Sequence, residues 1–297
     1  MPSTQSLSLP LPSDFRHQDF IVFHQRDKTE LSEQVNGMEI HKGVLINTIP
    51  CRLSLSLGSE NATMTLSADA DENVLSEREF ALLASRMLGL QQDIAGFENK
   101  YQHHADISRL LAHQHGLRIP QTTTPFEAIS WAITGQLISV DAAISIRRRL
   151  IEATGKPHSS GIWCLPDEHI LANTDIDTYR ACGYSNSKAT TLQRIAQAIM
   201  ANKLDLSPDR DPLDVGKELL AIKGIGPWTV SYTLLRGFGY LDGSLHGDVA
   251  VRRNIQRLLG SDEKPTEKEA QKWLAEFAPW RALVAAHLWA MDKEKAY

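Results

Sequence analysis

The hydrophobic periodicity of the chain changes once, near residue 76, and this change limits the folds that the chain can adopt. Before it, "RLSLSL" (52–57) and "TMTLS" (63–67) alternate apolar and polar residues across a turn-like segment, which predicts a hairpin. "GVLINTI" (43–49) is β-branched and follows the turn signal at Asn36-Gly37. The first part of the chain is therefore predicted to form an antiparallel sheet.

From Ser76 onward the apolar residues follow helical spacing. "SEREFALLASRMLGL" (76–90) opens with Ser76 and has Glu79 three residues later, the pattern of a capping box. Short breakers divide the rest into candidate helices at 125–134, 139–154, 167–173, 187–202, 212–222, 227–238, 248–259, 266–276 and 279–291. We predict a mainly helical protein, with a small α+β domain at 1–98 and a helical region at 99–297.

Composition and cysteine content exclude several classes of protein. No apolar run among the 297 residues approaches the roughly 18 residues of a membrane-spanning helix. The first fifteen residues lack the basic start and apolar stretch of a signal peptide, and their Ser and Pro content indicates a frayed lead-in. Cys51, Cys164 and Cys182 are too few and too widely spaced for a disulfide framework. We expect a reduced, intracellular protein that does not bind membranes.

Arginines are clustered although the net charge is −5. One cluster is Arg147–Arg149, and the other comprises Arg252, Arg253 and Arg257. Electrostatic binding of nucleic acid depends on such patches rather than on the total charge. Taken alone, each cluster is more typical of a solvated helix face, and the sequence does not decide between the two interpretations.

The segment "LLAIKGIGPWT" (219–229) joins two predicted helices almost without a linker. Gly224 suits a positive φ where the first helix stops, and Gly226 permits close approach of a ligand. Pro227 suits the first turn of the second helix, whose unpaired N–H groups form an anion site. Carbonyl groups of the turn can also gather a monovalent cation. A Gly-x-Gly between helices is otherwise only a tight turn.

An acidic residue follows this hairpin about one helix later. Asp248 in "LDGSLHGDVAVRR" (241–253) stands at the predicted start of the next helix. An Asp there is usually an N-cap, worth about 0.5–2 kcal/mol. The same position also allows the carboxylate to point into a cleft beside the hairpin.

Together these segments resemble one enzyme family. "GIGPWTVSYTLLRGFG" (224–239) followed by Gly-Asp is similar to the signature of the helix-hairpin-helix (HhH-GPD) DNA glycosylases. "GQLISV" (135–140), "GYSNSKATTL" (183–192) and "PWRALVAAHLW" (279–289) resemble the AlkA-type 3-methyladenine branch in its order. The resemblance covers roughly residues 80 to 297. It implies a two-lobed helical fold with the active site in the cleft between the lobes.

The resemblance also implies a mechanism. The aspartate that matches Asp248 is catalytic in this family, and a carboxylate below the sugar can stabilise an oxocarbenium-like state or activate water. Trp228 occupies the place of the lysine that forms a Schiff base in bifunctional relatives, so the enzyme is expected to be monofunctional. No cysteine follows Cys182, so no iron–sulfur cluster is expected.

The remaining site residues are carried over from the family by position. The base pocket is expected to contain Trp228, Tyr232, Trp289 and Gln136, with Phe20 or Phe23 as a further aromatic candidate. Leu137 matches the wedge that enters the duplex when a nucleotide is flipped. Backbone binding is assigned to Gly224, Gly226 and Thr229, and a Na+ or K+ site to the carbonyl groups of Leu220, Ile222 and Gly224.

The function implied is a base-flipping, monofunctional glycosylase that releases alkylated bases in base excision repair. Its partner would be double-stranded DNA that contains alkylated bases. It would need no cofactor beyond the hairpin cation, and would act as a monomer in the cytoplasm, at the nucleoid, of a bacterial cell. Two alternatives stay open: a non-catalytic protein that binds damaged DNA, and a bifunctional glycosylase with lyase activity.

Overall fold

The structure is a computed structural model that describes residues 2–292. Its N-terminal part consists of β1 (Ser3–Pro10), α1 (His17–His24), β2 (Glu33–Asn36), β3 (Glu39–Ile46), β4 (Ile49–Leu57), β5 (Asn61–Ala68) and α2 (Glu77–Met87). These strands form an antiparallel sheet, with β1 next to β5, followed by β4 and β3, and with β2 also paired to β3. Within residues 2–292, no helix is long and apolar enough to cross a membrane.

The local signals of the first part are confirmed. β4 and β5 form the predicted hairpin, with Ser56 opposite Thr63. Gly37, between β2 and β3, has a φ of 60°, as a tight turn of this kind requires. At the start of α2, Ser76 and Glu79 make both hydrogen bonds of the capping box.

The prediction of a frayed lead-in was wrong. Residues Ser3–Pro10 form β1, which pairs antiparallel with β5 from Ser3 opposite Ala68 to Pro10 opposite Asn61. The reason is alternation: "STQSLSLP" has the same period of two as β4, and every second side chain is partly buried. Its leucines pack against the core of the sheet, so its serine content is compatible with a strand.

The rest of the described chain is helical except for two short strands. Its elements are α3 (Ile94–Tyr101), α4 (Ser108–Gln114), α5 (Pro125–Gly135), α6 (Val140–Thr154), β6 (Lys156–Pro157), β7 (Trp163–Cys164), α7 (Glu168–Asn173), α8 (Ile176–Ala181), α9 (Asn186–Met200), α10 (Pro212–Leu220), α11 (Pro227–Phe238), α12 (Val249–Leu259), α13 (Glu267–Ala275) and α14 (Arg281–Trp289). Each helix predicted after residue 120 is present, and its ends lie within two residues of the prediction.

Strands β6 and β7 belong to the N-terminal sheet although they lie far along the chain. β7 pairs in parallel with β3 at Gly43, opposite Cys164. A Cβ atom at Gly43 would collide with the carbonyl group of Trp163, so only glycine permits this approach. Residues 155–160 lie between two predicted helices, where the sequence predicts only a short breaker, and they contain β6. The boundary at residue 98 stays a prediction.

Two hydrophobic clusters divide the helical region. We call them the hairpin lobe, which contains buried residues of α6, α8, α9 and α10, and the C-terminal lobe, which contains those of α3, α4, α12, α13 and α14. Helices α5 and α11 contribute to both, since Val230 and Leu234 face the hairpin lobe whereas Tyr232 and Leu235 face the other. The predicted two-lobed, mainly helical fold is confirmed, and α11 connects the two lobes.

Candidate functional site

The turn between α10 and α11 presents a helix N-terminus that no side chain caps. As expected, Gly224 has a φ of 100°, and Pro227 is the first residue of α11. Gly226 is the N-cap, makes no side-chain cap hydrogen bond, and has open space where a Cβ atom would lie. Because the first N–H groups of a helix have no partner within it, this end can accept an external anion.

Helix α9 supports this hairpin from behind. The Thr191 hydroxyl lies 3.5 Å from the carbonyl oxygen of Lys223, and Arg194 Nη1 donates to the same oxygen at 3.3 Å. A Cβ atom at Gly224 would collide with the Thr191 hydroxyl. Gly224 is therefore required both for its positive φ and for the contact with α9.

The connection between α5 and α6 exposes an apolar side chain on a strained backbone. Leu137 has a φ of 59° and its side chain is 104% exposed. A left-handed conformation costs a non-glycine residue roughly 1–2 kcal/mol, and an exposed leucine gains nothing from burial. Such a combination is typical of a side chain that is held ready to bind something else.

Neighbouring elements fix this connection in place. Gln136 Nε2 donates to the carbonyl oxygen of Gly224 at 3.2 Å and to Thr229 Oγ1 at 2.9 Å. Lys188 Nζ donates to the carbonyl oxygen of Thr134 at 2.9 Å, at the end of α5. The residue next to the exposed leucine, Gln136, thus bonds directly to the hairpin through its side-chain amide.

Asp248 is the N-cap of α12 and is 6% exposed. Its Oδ1 accepts the backbone N–H groups of Ala250 and Val251, both at 2.9 Å, and the indole N–H of Trp289 at 3.2 Å. Its Oδ2 accepts the indole N–H of Trp228 at 2.9 Å. One oxygen therefore does the capping while the other, with a single donor, keeps a lone pair free. The capping role and a chemical role for this aspartate are compatible.

The two indoles that bond to this carboxylate both contact a third aromatic side chain, that of Tyr232. Trp228 stacks on Tyr232 with 5.4 Å between ring centroids, and Tyr232 contacts Trp289 at 6.3 Å. Tyr232 and Trp289 are 2% and 4% exposed, whereas Trp228 is only partly buried. Of the three rings, that of Trp228 is therefore the most accessible to a planar ligand.

A family model described as "HhH-GPD superfamily base excision DNA repair protein" matches residues 130–279, half of the chain. This segment contains the hairpin, the exposed leucine and Asp248. The chain belongs to the HhH-GPD superfamily. The family resemblance inferred from the motifs is thereby confirmed.

Individual proteins with which this HhH-GPD chain aligns are named as glycosylases. It is 30% identical over 185 residues to DNA-3-methyladenine glycosylase 2 of Escherichia coli, covering 62% of this chain and 63% of that protein. It is 22% identical to DNA-3-methyladenine glycosylase of Bacillus subtilis over 95% of both chains. A solved 3-methyladenine DNA-glycosylase from Archaeoglobus fulgidus has the same fold, with a TM-score of 0.80 at 18% identity, covering 97% of this chain and 98% of that one. The match thus spans less than two thirds of the Escherichia coli protein.

The structure gives several of the predicted site residues a more specific place. The side chain of Thr229 is 2% exposed and bonds to Gln136, which leaves its backbone N–H as the group that can face a phosphate. Gln136 bonds to the hairpin, as described above. Phe20 stacks on Phe15 in the N-terminal core. Phe23 instead carries the guanidinium of Arg236, from α11, over its ring at 4.5 Å.

Sequence reasoning missed the supporting side chains and the indole donors. Lys188, Thr191 and Arg194 lie in or near the motif "GYSNSKATTL", which had been assigned only as an intervening helical hairpin. Their spacing of three residues along a helix was the available signal. The bond from Trp289 to Asp248 joins residues 41 positions apart, and no local pattern predicts it.

The arginine clusters are largely engaged in internal contacts. Arg147 pairs with Glu127 at 2.9 Å, Arg148 with Asp27 at 2.7 Å, and Arg149 donates to the carbonyl oxygen of Cys182. In the second cluster, Arg253 and Arg257 pair with Asp292. The arginines of the first cluster therefore bond α6 to other segments of the protein. They form neither of the two arrangements expected from the sequence, a solvated helix face or an open patch for nucleic acid.

Two groups of residues offer oxygen or nitrogen ligands for a metal ion. In the hairpin, the carbonyl oxygen of Ile222 accepts the N–H of Ile225 at 3.1 Å, and that of Gly224 accepts Nε2 of Gln136. A monovalent cation would therefore have to bind the second lone pair of each oxygen. Elsewhere, Asp14, Glu98 and His115 lie within reach of one another. Arg118 already pairs with Asp14 at 3.2 Å, which compensates this carboxylate.

Proposed function

We propose that this chain is a monofunctional DNA glycosylase that hydrolyses the N-glycosidic bond of alkylated bases of the 3-methyladenine type, as part of base excision repair. The observation that carries the proposal is the asymmetric carboxylate of Asp248. Three N–H donors hold its Oδ1, while Oδ2 has one donor, from Trp228. The names of the relatives support the choice of substrate.

The chemistry follows from this carboxylate. Donation of three N–H groups fixes Oδ1, so that Oδ2 is the atom that faces positive charge developing on the sugar. It can stabilise an oxocarbenium-like state directly or accept a proton from the attacking water. An alkylated purine is already cationic and is a good leaving group, so a second, acidic residue is not needed. The aromatic face of Trp228 adds cation–π attraction of about 0.5–2 kcal/mol for such a base.

Double-stranded DNA would contact the start of α11 and the connection between α5 and α6. The uncapped N-terminus of α11 begins two residues before this tryptophan and suits a backbone phosphate. Leu137 is already exposed and bonded to the hairpin through its neighbour Gln136, so it can fill the gap that a flipped nucleotide leaves. We further propose that the protein acts as a monomer on chromosomal DNA in a bacterial cytoplasm.

Release of free bases tests the proposal directly. The protein is incubated with DNA that was methylated chemically, and the released bases are identified by chromatography. We expect 3-methyladenine among the products in molar amounts that exceed the enzyme. Tight binding of methylated DNA without base release would instead support a non-catalytic damage-binding protein.

The monofunctional assignment has its own test. Lyase activity requires an amine that forms a Schiff base with the sugar, and Trp228 offers none. Lys223, the nearest lysine in sequence, lies before the turn, and its carbonyl group faces α9. The product strand should stay intact until alkali is added, and borohydride should trap no adduct. A trapped adduct that disappears in Lys223→Ala would overturn this assignment.

The hairpin cation is also a proposal. If Na+ or K+ binds the carbonyl groups of the turn, DNA affinity should be higher in KCl than in tetramethylammonium chloride of equal ionic strength. Equal affinity in both salts would mean that the Gln136 amide alone satisfies the turn.

A further inference from the structure

The proposed base pocket is linked to the N-terminal part of the chain by the side chain of Arg236. Arg236 lies on α11, four residues after Tyr232, so the two side chains project from the same face of the helix. Its guanidinium is buried and donates a hydrogen bond to the hydroxyl group of Tyr232. Its Nη1 donates to the carbonyl oxygen of Pro120 at 2.9 Å. Arg236 thus joins one ring of the pocket to the segment that precedes α5.

A third contact of this guanidinium comes from α1. Arg236 lies over the ring of Phe23, with 4.5 Å from Cζ to the ring centroid, and Arg26, just after α1, lies over the same ring at 4.1 Å. Arg26 also lies over the ring of Trp131, in α5, at 4.7 Å. The N-terminal part therefore contacts α5 and α11 through arginines and aromatic rings.

Packing alone does not require a guanidinium at position 236. Burial above all, opposed by Tyr232 and reinforced by the charge of Arg26, lowers the pKa of Arg236 to about 10. The group is still charged at neutral pH, and an apolar side chain would fill this space without the cost of burying a charge. The property specific to arginine is a planar fork of N–H donors, which can hold two acceptors in a fixed geometry.

Tyr232 connects this guanidinium to the carboxylate of the site. The ring of Tyr232 stacks on that of Trp228 with 5.4 Å between centroids, and the indole of Trp228 donates to Oδ2 of Asp248. A hydrogen bond at the hydroxyl end of Tyr232 restrains the tilt of its ring, and so the plane against which Trp228 stacks. Because a displacement of about 1 Å in a bound substrate can cost about a hundredfold in rate, a small change in this plane affects the chemistry.

We propose that Arg236 is a positioning residue of the base pocket, which holds the ring of Tyr232 in the plane that base stacking requires and is itself held by Phe23. This role rests on the proposed function, because it belongs to the same pocket. It is separate from binding of the DNA backbone, since Gly226, at the start of α11, lies ten residues before Arg236, or about 15 Å along the helix.

The rate of base release from methylated DNA by the full chain tests this role. Arg236→Lys keeps the positive charge but lacks the planar fork, so kcat should fall about tenfold while affinity for an abasic duplex stays unchanged. Arg118→Lys is the matched control, because Arg118 is also a buried arginine, at 8% exposure, but pairs with Asp14. This control should lose thermal stability and keep the kcat of the wild type.

A second comparison separates positioning from a general loss of packing. Tyr232→Phe keeps the ring but removes the hydroxyl group, and should lower kcat about fivefold. If Arg236 acts through this hydroxyl group, the double variant Tyr232→Phe/Arg236→Lys should be no slower than the slower single variant, whereas independent effects would multiply. Phe23→Leu should lower kcat about threefold and add nothing to the loss in Arg236→Lys. Phe15→Leu, which removes another buried ring of the N-terminal core, should leave kcat unchanged.

Each result decides one point. A wild-type kcat in Arg236→Lys, a multiplied loss in the double variant, or equal losses of kcat in Phe15→Leu and Phe23→Leu overturns the positioning role while the wild type still releases bases. If Arg236→Lys does not fold, Tyr232→Phe and Phe23→Leu are combined instead, and a multiplied loss again overturns the role. A wild type that releases no base overturns the proposed function, and the positioning role with it.

Discussion

Helices α11 and α12 begin within one site, but the N-terminus of α12 is capped by a side chain and that of α11 is not. The N-cap of α11 is Gly226, without a side-chain hydrogen bond, while the N-cap of α12 is Asp248, whose Oδ1 accepts two backbone N–H groups. Both helices have the positive end of a dipole there. One end is satisfied by an anion from the chain itself, and the other is left for an anion from outside.

The difference shows how one structural device serves two purposes. At α12 the N-cap residue is a carboxylate whose Oδ1 accepts two backbone N–H groups, while Oδ2 accepts only the indole of Trp228. At α11 the N-cap residue has no side chain, so the first N–H groups have no side-chain acceptor. Trp228 connects the two ends, because it lies in the first turn of α11 and donates to Asp248 of α12 at 2.9 Å. If the proposed roles hold, this indole couples the position of a bound DNA backbone to that of Asp248 Oδ2.

The largest effect is expected when the carboxylate of α12 loses its charge. Asp248→Asn retains a good N-cap residue, so the fold should persist. Base release should fall by at least about a hundredfold, because the charge acts on the transition state. Affinity for a duplex with an abasic-site analogue should stay near that of the wild type. Normal base release by the folded variant would contradict a catalytic role.

The next effect comes from giving α11 the cap that it lacks. Gly226→Asp is sterically free, since nothing lies within 4 Å of the added Cβ atom and φ is −109°. The variant should be as stable as the wild type or slightly more stable, yet bind DNA up to about thirtyfold more weakly, because a carboxylate replaces the phosphate. Gly226→Asn is the uncharged control and should lie between the two. Fluorescence anisotropy and thermal unfolding measure both quantities; unchanged DNA affinity would show that this end binds no phosphate.

A smaller effect is expected from the indole that links the two helices. Trp228→Phe retains an aromatic face but removes the donor to Oδ2, a hydrogen bond to a charged group. We expect kcat to fall about tenfold with little change in binding of the abasic duplex. Trp289→Phe removes one of three donors to Oδ1 and should cost less. A loss that appears only in KM would mean that Trp228 acts by stacking alone.

The smallest expected difference between the variants is in the salt dependence of their DNA affinity. Phosphate contacts release counterions, so the affinity of the wild type should fall steeply between 50 and 200 mM KCl despite its net charge of −5. Asp248→Asn should have the same slope as the wild type, whereas Gly226→Asp should reduce the slope by about one. Identical slopes for all three proteins would argue against the distinction between the two helix ends.

The parts of this site that sequence could predict are those fixed locally. The positive φ of Gly224, the start of α11 at Pro227 and the N-cap at Asp248 depend on residues within a few positions of each other. The family resemblance then supplied roles for Leu137 and Trp289. These roles, and the base pocket as a whole, stay predictions until they are tested by substitution.

What sequence could not predict depends on packing between distant segments. The third donor to Oδ1 of Asp248 comes from Trp289, and the side chains that support the hairpin come from α9. The arginines of α6 illustrate the same limit, because a run of three arginines in the sequence does not indicate which carboxylates they pair with. For β1, the alternation of the side chains decides the structure, and the serine and proline content does not.

The parallel pairing of β7 with β3 has a consequence for how the protein is made. Gly43 leaves the ribosome more than a hundred residues before its partner Cys164. At about 5–20 residues per second, β3 waits of the order of ten seconds for this neighbour. During that time part of one side of the strand has unpaired N–H and C=O groups, which other chains can pair with. A fragment that ends near residue 98 would keep this open edge permanently, and we expect it to aggregate where the full chain does not.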